Sequence, residues 1–197
     1  ARIYEGTNEI NRMLSVGMLI KKAMKGHVDL LGPASKVQEE LMGIPSFDTP
    51  DYSELFTEEK EMIGKLKKAF LMVAGGAVQK YGPDLEAHQQ LLMAASDILI
   101  EIYMAESTIL RTEKLAKKEG EAKVQEQIAM AKLYLYKAVD IVTQKGKESV
   151  VSFAEGDEQR MMLMGLRRFT KYTNMPNIVG LREVITTKIV AENQYCF

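Results

Sequence analysis

The chain has 197 residues, of which 46% are hydrophobic and 27% charged, and its formal net charge is −1 at pH 7. This composition is typical of a soluble globular protein with one sizeable domain, or a domain plus an arm. The near-neutral charge gives no indication of nucleic-acid binding. A single cysteine, Cys196, excludes an internal disulfide, and no apolar run approaches the roughly 18 residues that a membrane span needs. We therefore expect a soluble, cytoplasmic protein.

The first element is a short glycine loop that places an acidic residue directly before a helix. Its sequence is Arg2-Ile3-Tyr4-Glu5-Gly6-Thr7-Asn8-Glu9-Ile10-Asn11-Arg12. Thr7 is suited to cap the helix, because its hydroxyl can accept a hydrogen bond from a free helical N–H. Glu9 falls in the first turn, where the helix dipole favours a carboxylate. Gly6 leaves space beside Glu5, so Glu5 has the placement of a general base, although most acidic residues before helices are simply solvated.

This motif, from Ile3 to Arg12, resembles the "YEGT" signature of the flavin-dependent acyl-CoA dehydrogenases. The following segment, from Met13 to Ala34, resembles the next helix of that family. The long helical extension after it is similar to the tail of the very-long-chain type. The resemblance therefore covers most of the chain, but only the first dozen residues match at the level of a motif.

The resemblance implies a specific reaction and specific roles. Glu5 would take a proton from the carbon alpha to the carbonyl of a fatty acyl-CoA thioester, while a hydride leaves the beta carbon for FAD. Gly6 would lie against the substrate. Three further residues would lie near FAD: Thr7, Asn8 and Glu9. A carboxylate becomes a better base for such a proton when burial raises its pKa and when hydrogen bonds stabilise the enolate-like charge.

The family's amino-terminal helical domain and middle β-domain have no counterpart in this sequence. We therefore expect the chain to be the C-terminal part of a longer enzyme and to be inactive by itself. The resemblance also implies an electron-transfer flavoprotein or a similar acceptor as partner, and a homo-oligomer. The alternative function is a non-catalytic helical module for dimerisation or for peripheral docking to a membrane, with basic C-terminal helices against acidic lipid headgroups.

Helical periodicity along nearly the whole chain predicts an all-α fold, an antiparallel helical bundle with an N-terminal helical arm. The arm contains one helix from Asn8 to about Leu31, which Gly32-Pro33 stops or kinks. We expect three regions: residues 1–42 as the end of the catalytic helical domain, 43–56 as a linker and 57–197 as the tail bundle. The linker assignment depends on its glycine, prolines and small polar residues.

The tail is predicted to contain five main helices. They are Thr57–Tyr81 with Thr57 as its cap, Leu85–Lys118 with Asp84 as its cap, Glu121–Lys145, Gly156–Tyr172 and Ile178–Glu192. Gly146 is expected to end the third of these, with a separate short helix at Lys147–Phe153. The small-residue patch Ala74-Gly75-Gly76-Ala77 predicts a close approach of a neighbouring helix, because each glycine otherwise costs about 1 kcal/mol of helix stability relative to alanine.

Other kinds of site have little support in the sequence. His27 and His88 lie far apart and have no partner at the spacing of metal ligands, so no metal site is expected. The 13 methionines are better suited to filling irregular gaps in a core than to binding a metal.

Overall fold

The computed structural model describes residues 2–43 and 51–196, and every regular element in these ranges is helical. The α-helices are α1 (Asn8–Met24), α2 (Leu31–Met42), α3 (Thr57–Tyr81), α4 (Gln89–Glu119), α5 (Gln125–Phe153), α6 (Gly156–Phe169) and α7 (Ile178–Glu192). Short 3-10 turns at Gly82–Ala87 and Glu121–Lys123 join α3 to α4 and α4 to α5. The predicted all-α class is confirmed. None of the described helices is both long and apolar enough to cross a membrane.

Helices α3, α4 and α5 form the centre of the bundle, and each packs against the other two. Two ion pairs show the direction of α3 relative to α4: Lys60 Nζ lies 2.8 Å from Glu113 Oε1, and Lys67 Nζ lies 2.6 Å from Glu106 Oε1. As the residue number rises on one helix it falls on the other, so these two helices are antiparallel. The outer helices cover this centre, with α6 against α3 and α5, and α7 against α5.

The predicted apolar seam of α5 is buried at every position. Its members are Val124, just before the helix, and Ile128, Ala131, Leu135, Ala138 and Val142. The three- and four-residue steps between them place all six side chains on one face, towards α3 and α4. Burial of such apolar surface is the main stabilising contribution to the fold, at about 25 cal/mol per Å² removed from water.

Gly146 does not end a helix, contrary to the prediction, because α5 continues through it to Phe153. Gly146 is buried, and a Cβ atom built on it would lie 2.8 Å from Leu166 Cδ1. The glycine is therefore needed where α6 crosses closely over α5. The predicted separate helix at Lys147–Phe153 is the last part of α5.

The predicted single helix of the arm is also wrong, because α1 ends at Met24 and a second helix begins at Leu31. Gly32 and Pro33 lie in the first turn of α2, where proline is tolerated because its missing N–H has no helical partner there. The Asp29 carboxylate accepts a hydrogen bond from the Gly32 N–H at 3.0 Å. The Gly-Pro pair therefore helps to start a helix instead of stopping one.

Two predicted helix caps are corrected as well. Thr57 lies inside α3, and its hydroxyl donates to the Glu54 carbonyl at 3.1 Å, while the buried Phe56 occupies the cap position. Asp84 lies in the 3-10 turn, and α4 begins later, at Gln89. Both errors arise because a polar residue near a helix start suits several positions of the first turn.

The small-residue patch of α3 does allow a close approach, as predicted. A Cβ atom on Gly75 would lie 3.7 Å from Ala34 Cβ of α2, and one on Gly76 would lie 2.8 Å from Met162 Cε of α6. The patch therefore lets two neighbouring helices pack against α3.

The segment before α3 is tied to that helix by Tyr52. Its hydroxyl donates a 2.7 Å hydrogen bond to Glu61 Oε2, and Lys65 Nζ lies 2.6 Å from the other oxygen. Burial by itself would raise the pKa of Glu61, but the hydrogen bonds from Lys65 and Tyr52 outweigh burial and lower it. Glu61 therefore stabilises the fold above its unfolded pKa, and this contribution is lost as the pH falls through its lower folded pKa.

Tyr52→Phe is expected to lower the midpoint of thermal unfolding by about 2 °C at pH 7. The difference should shrink as the pH falls through the lowered pKa of Glu61, because the charge-assisted hydrogen bond is then already weakened in the wild type. Thermal scans of both proteins at pH 7 and at an acidic pH at which Glu61 has lost its charge measure this. A Tyr103→Phe variant, which changes a tyrosine of α4 that is 67% exposed, serves as the matched substitution. An equal difference at both pH values would contradict the assigned bond.

Candidate functional site

The loop before α1 has an unusual backbone at two consecutive residues. Glu5 has φ 63° and Gly6 has φ 89°, both in the left-handed region. That conformation costs a residue with a Cβ atom about 1–2 kcal/mol, so the surrounding contacts must hold Glu5 in it. One such contact is the 3.3 Å hydrogen bond from the Asn8 N–H to the Arg2 carbonyl, which closes the loop onto the start of the helix.

Gly6 is required by its contact with Asn11 as well as by its backbone angle. The Asn11 side chain donates to the Gly6 carbonyl at 3.0 Å, and a Cβ atom on Gly6 would lie 2.7 Å from Asn11 Oδ1. Thr7 caps α1 as predicted, since its hydroxyl accepts from the Ile10 N–H at 3.4 Å. Asn11 was not predicted to have a role, although an amide side chain one turn after a glycine loop was the available signal.

The structure brings the predicted site residues together at the N-terminal end of α1, with different exposures. Glu5 and Gly6 are exposed, as is Glu9 in the first turn. Thr7 and Asn8 are half-buried. Within the described residues no element covers the Glu5 carboxylate, so the burial that would make it a stronger base is not provided by this part of the chain.

The bundle holds α1 in place through its other face, opposite the exposed one. Arg12 Nε lies 2.8 Å from Asp97 Oδ1 of α4, and the Ser15 and Ser96 hydroxyls lie 3.1 Å apart. Val16 is buried against the core with 2% of its surface exposed. These contacts fix the direction of α1 and therefore the position of the loop. Asp97 was not predicted to have a part in the site, because contacts across 85 residues leave no local pattern.

The surface of α1 next to the loop is apolar and uncovered. Ile10 and Leu14 are each 55% exposed, and Met18 is 48% exposed. These three residues are spaced at four-residue steps, so they form one stripe along the helix. Tyr4 of the loop is also exposed, at 71%. A contiguous apolar surface of this kind is typical of a protein interface.

An acidic segment, residues 38–61, with eight acidic residues and one lysine, contacts the basic C-terminal segment, residues 160–188, with six basic residues and one acidic. Arg168 of α6 bonds the Glu40 carboxylate at 3.3 Å, and Lys68 lies 2.7 Å from its other oxygen. The Asn174 N–H donates to Glu58 at 2.6 Å. Part of the basic C-terminal region is therefore used inside the fold.

The sequence of this chain is similar to those of known proteins. The family model described as "Acyl-CoA dehydrogenase, C-terminal domain" matches residues 65–168. A probable acyl-CoA dehydrogenase of Bacillus subtilis (strain 168) is 37% identical over 191 residues, which are 97% of this chain and 32% of that protein.

The fold of this chain is also similar to that of a solved structure. The crystal structure of an acyl-CoA dehydrogenase from Bacillus anthracis complexed with FAD matches with a TM-score of 0.90 and 37% identity, over 100% of this chain and 32% of that one. The chain therefore spans about a third of the length of the relatives that it matches. Together with the family model, which covers more than half of the chain, these similarities show that the chain belongs to the acyl-CoA dehydrogenase family.

Proposed function

We propose that this chain is the C-terminal part of an FAD-dependent acyl-CoA dehydrogenase and that it supplies the catalytic base, Glu5. The observation that supports this most directly is the loop geometry. Two consecutive left-handed residues, next to the contacts of Thr7 and Asn11, present the Glu5 side chain at the amino end of α1, where none of the described residues buries it. A carboxylate presented in this way can meet a substrate that another part of the protein holds.

In the proposed reaction the Glu5 carboxylate takes the proton from the carbon alpha to the thioester carbonyl. FAD, when bound, accepts the hydride from the beta carbon, so that a carbon–carbon double bond forms and a trans-2-enoyl-CoA is the product. Gly6 lacks a side chain beside this carboxylate, so its backbone is free to lie against the acyl chain. The thioester substrate, its chain length and the electron acceptor are proposals from the family relationship.

The residues near the start of α1 suit some parts of FAD better than others. Thr7 and Asn8 present a hydroxyl and an amide at the positive end of a helix, where polar groups of a cofactor are favourably bound. The exposed Glu9 carboxylate would repel a pyrophosphate but can accept hydrogen bonds from ribose hydroxyls or an amino group. We therefore infer that these residues contact the uncharged parts of the cofactor and that its phosphates are held elsewhere.

The apolar stripe of α1 supports the proposal that the active enzyme is larger than this chain. Ile10, Leu14 and Met18 would be covered by the region that binds the flavin, and the same contact would remove water from around Glu5. Desolvation by such a cover is the kind of change that raises the pKa of a carboxylate and makes it a better base. A homo-oligomer and a peripheral membrane contact stay predictions.

Anaerobic addition of acyl-CoA to the full-length, FAD-loaded protein is the direct test. We expect the absorbance of oxidised flavin near the visible maximum to bleach with acyl-CoA thioesters of at least one chain length. Free CoA and the corresponding free fatty acid are the matched controls and should leave the spectrum unchanged. A flavin that stays oxidised with thioesters across short, medium and long chains would contradict the proposed reaction.

A further inference from the structure

An apolar cleft of about 360 Å³ lies between α1, α2, α3 and α6. Its walls are mostly aliphatic and aromatic side chains, among them Leu19, Ile20, Leu30, Phe70, Met72 and Met161. Neither Glu5 nor any other residue of the loop before α1 lines it. The cleft is therefore separate from the proposed catalytic position, and a ligand can occupy it independently of Glu5.

Small residues line the cleft where α2 meets α3. Ala34 of α2 and Gly75 of α3 both line it, and a Cβ atom on Gly75 would lie 3.7 Å from Ala34 Cβ, an ordinary van der Waals contact. On the next residue, Gly76, Phe153 and Met162 fill the corresponding space. A mostly apolar cleft with a few polar groups around it is the usual form of a small-molecule site, so we take this cleft as a place for a ligand.

The polar groups around the cleft restrict the head group that such a ligand can have. They are the hydroxyl of Ser35, the amides of Gln38 and Gln79, and the carboxylate of Glu158. Among the described residues, no lysine, arginine or histidine lines the cleft. A carboxylate or phosphate at this opening would meet no cation and would be repelled by Glu158, whereas a neutral or cationic group finds hydrogen-bond acceptors.

We propose that this cleft binds one unbranched alkyl chain whose head group is uncharged or positively charged. At roughly 30 Å³ for each methylene group, a share similar to that of one water molecule in the liquid, the volume accommodates about ten to twelve carbons. The chain lies against the aliphatic walls, and its head group lies at the opening beside Gln38, Gln79 and Glu158. The driving force is removal of the alkyl chain from water.

Calorimetric titration of the protein with three ten-carbon probes tests the proposal, with decanol kept below its solubility limit and the two charged probes below their critical micelle concentrations. We expect 1-decanol and decylammonium to bind with one site per chain and decanoate to bind a few-fold more weakly, because Glu158 is an exposed charge. Glu158→Gln should weaken the binding of decylammonium a few-fold, as expected for loss of one exposed charge pair, and leave the affinity for decanol unchanged. Decanoate binding as tightly as decanol would overturn the assignment of the head group.

Two variants that fill the cleft test its location. Gly75→Leu places a side chain in the cleft from α3, and Ala34→Leu does so from α2. Each substitution should weaken the binding of decanol at least tenfold. Gly64→Leu is the matched control, because Gly64 lies on the same helix outside the cleft and has no atom within 4 Å of its Cβ position. Helix content from circular dichroism shows which variants fold. Unchanged decanol binding in either folded cleft variant, or no one-site binding of any probe to the wild type, would overturn the proposal.

Discussion

Glu5→Gln in the full-length, FAD-loaded protein is expected to slow flavin reduction by acyl-CoA by about 10³-fold or more. Glutamine has nearly the shape of glutamate but cannot accept the alpha proton. The φ of 63° at this position is no more strained for glutamine than for glutamate, so the loop should keep its conformation. Bound FAD should be retained, because the substitution removes no group assigned to the cofactor. Single-turnover bleaching of the flavin measures the rate, and the flavin-to-protein absorbance ratio measures occupancy.

Two further variants separate a base from a structural residue. Glu5→Asp keeps the carboxylate but withdraws it by one methylene group, so its rate should fall between those of the wild type and Glu5→Gln. Glu183→Gln removes an exposed carboxylate from α7, far along the chain from the motif, and should leave the rate unchanged. If Glu5→Gln kept more than a tenth of the wild-type rate with FAD bound, another group would have to be the base.

Periodicity along the sequence was sufficient to predict the helices of the bundle. The bounds of α7 at Ile178 and Glu192 agree with the structure, and the six seam positions of α5 are all buried. These features are local, since a stop signal or a three- and four-residue spacing is present in the chain itself. The same holds for Thr7, whose capping role depends on a residue only three positions away.

Features that depend on distant residues could not be predicted in this way. On α1 the four-residue spacing of Ile10 and Leu14 is typical of a buried face, yet both are exposed and Val16 is the buried residue. The side of α1 that packs inward carries Arg12, whose partner Asp97 lies 85 positions away in the sequence. The reactivity of Glu5 could be predicted even less well, because the groups that would surround its carboxylate are not among the described residues.

Gly146 is predicted from the sequence to end a helix but lies inside one in the structure, and its substitution has a large expected effect on stability. Glycine is the commonest residue just after a helix, so the sequence favoured a helix end at this position. In the structure Gly146 is inside α5 and Leu166 of α6 packs directly over it, fully buried. The two interpretations predict different causes for the cost of alanine. At a helix end the left-handed backbone would disfavour alanine whatever its neighbours, whereas inside α5 the cost comes from overlap of the alanine methyl group with the fully buried Leu166 side chain, so that only the second interpretation couples the two residues.

Gly146→Ala is therefore expected to lower the free energy of unfolding by about 1–2 kcal/mol, because the overlap outweighs the helix preference of alanine. Leu166→Ala should cost about 2–5 kcal/mol by leaving a cavity. The double variant should cost less than the sum of the two, since the alanine methyl then occupies part of that cavity without a clash. Urea unfolding of the four proteins gives the coupling.

Gly64→Ala, with no atom within 4 Å of its Cβ position, should instead stabilise α3 by up to about 1 kcal/mol. If Gly146→Ala stabilised the chain as much as Gly64→Ala does, α6 would not cross α5 at this glycine, and the pairing of Gly146 with Leu166 would be wrong.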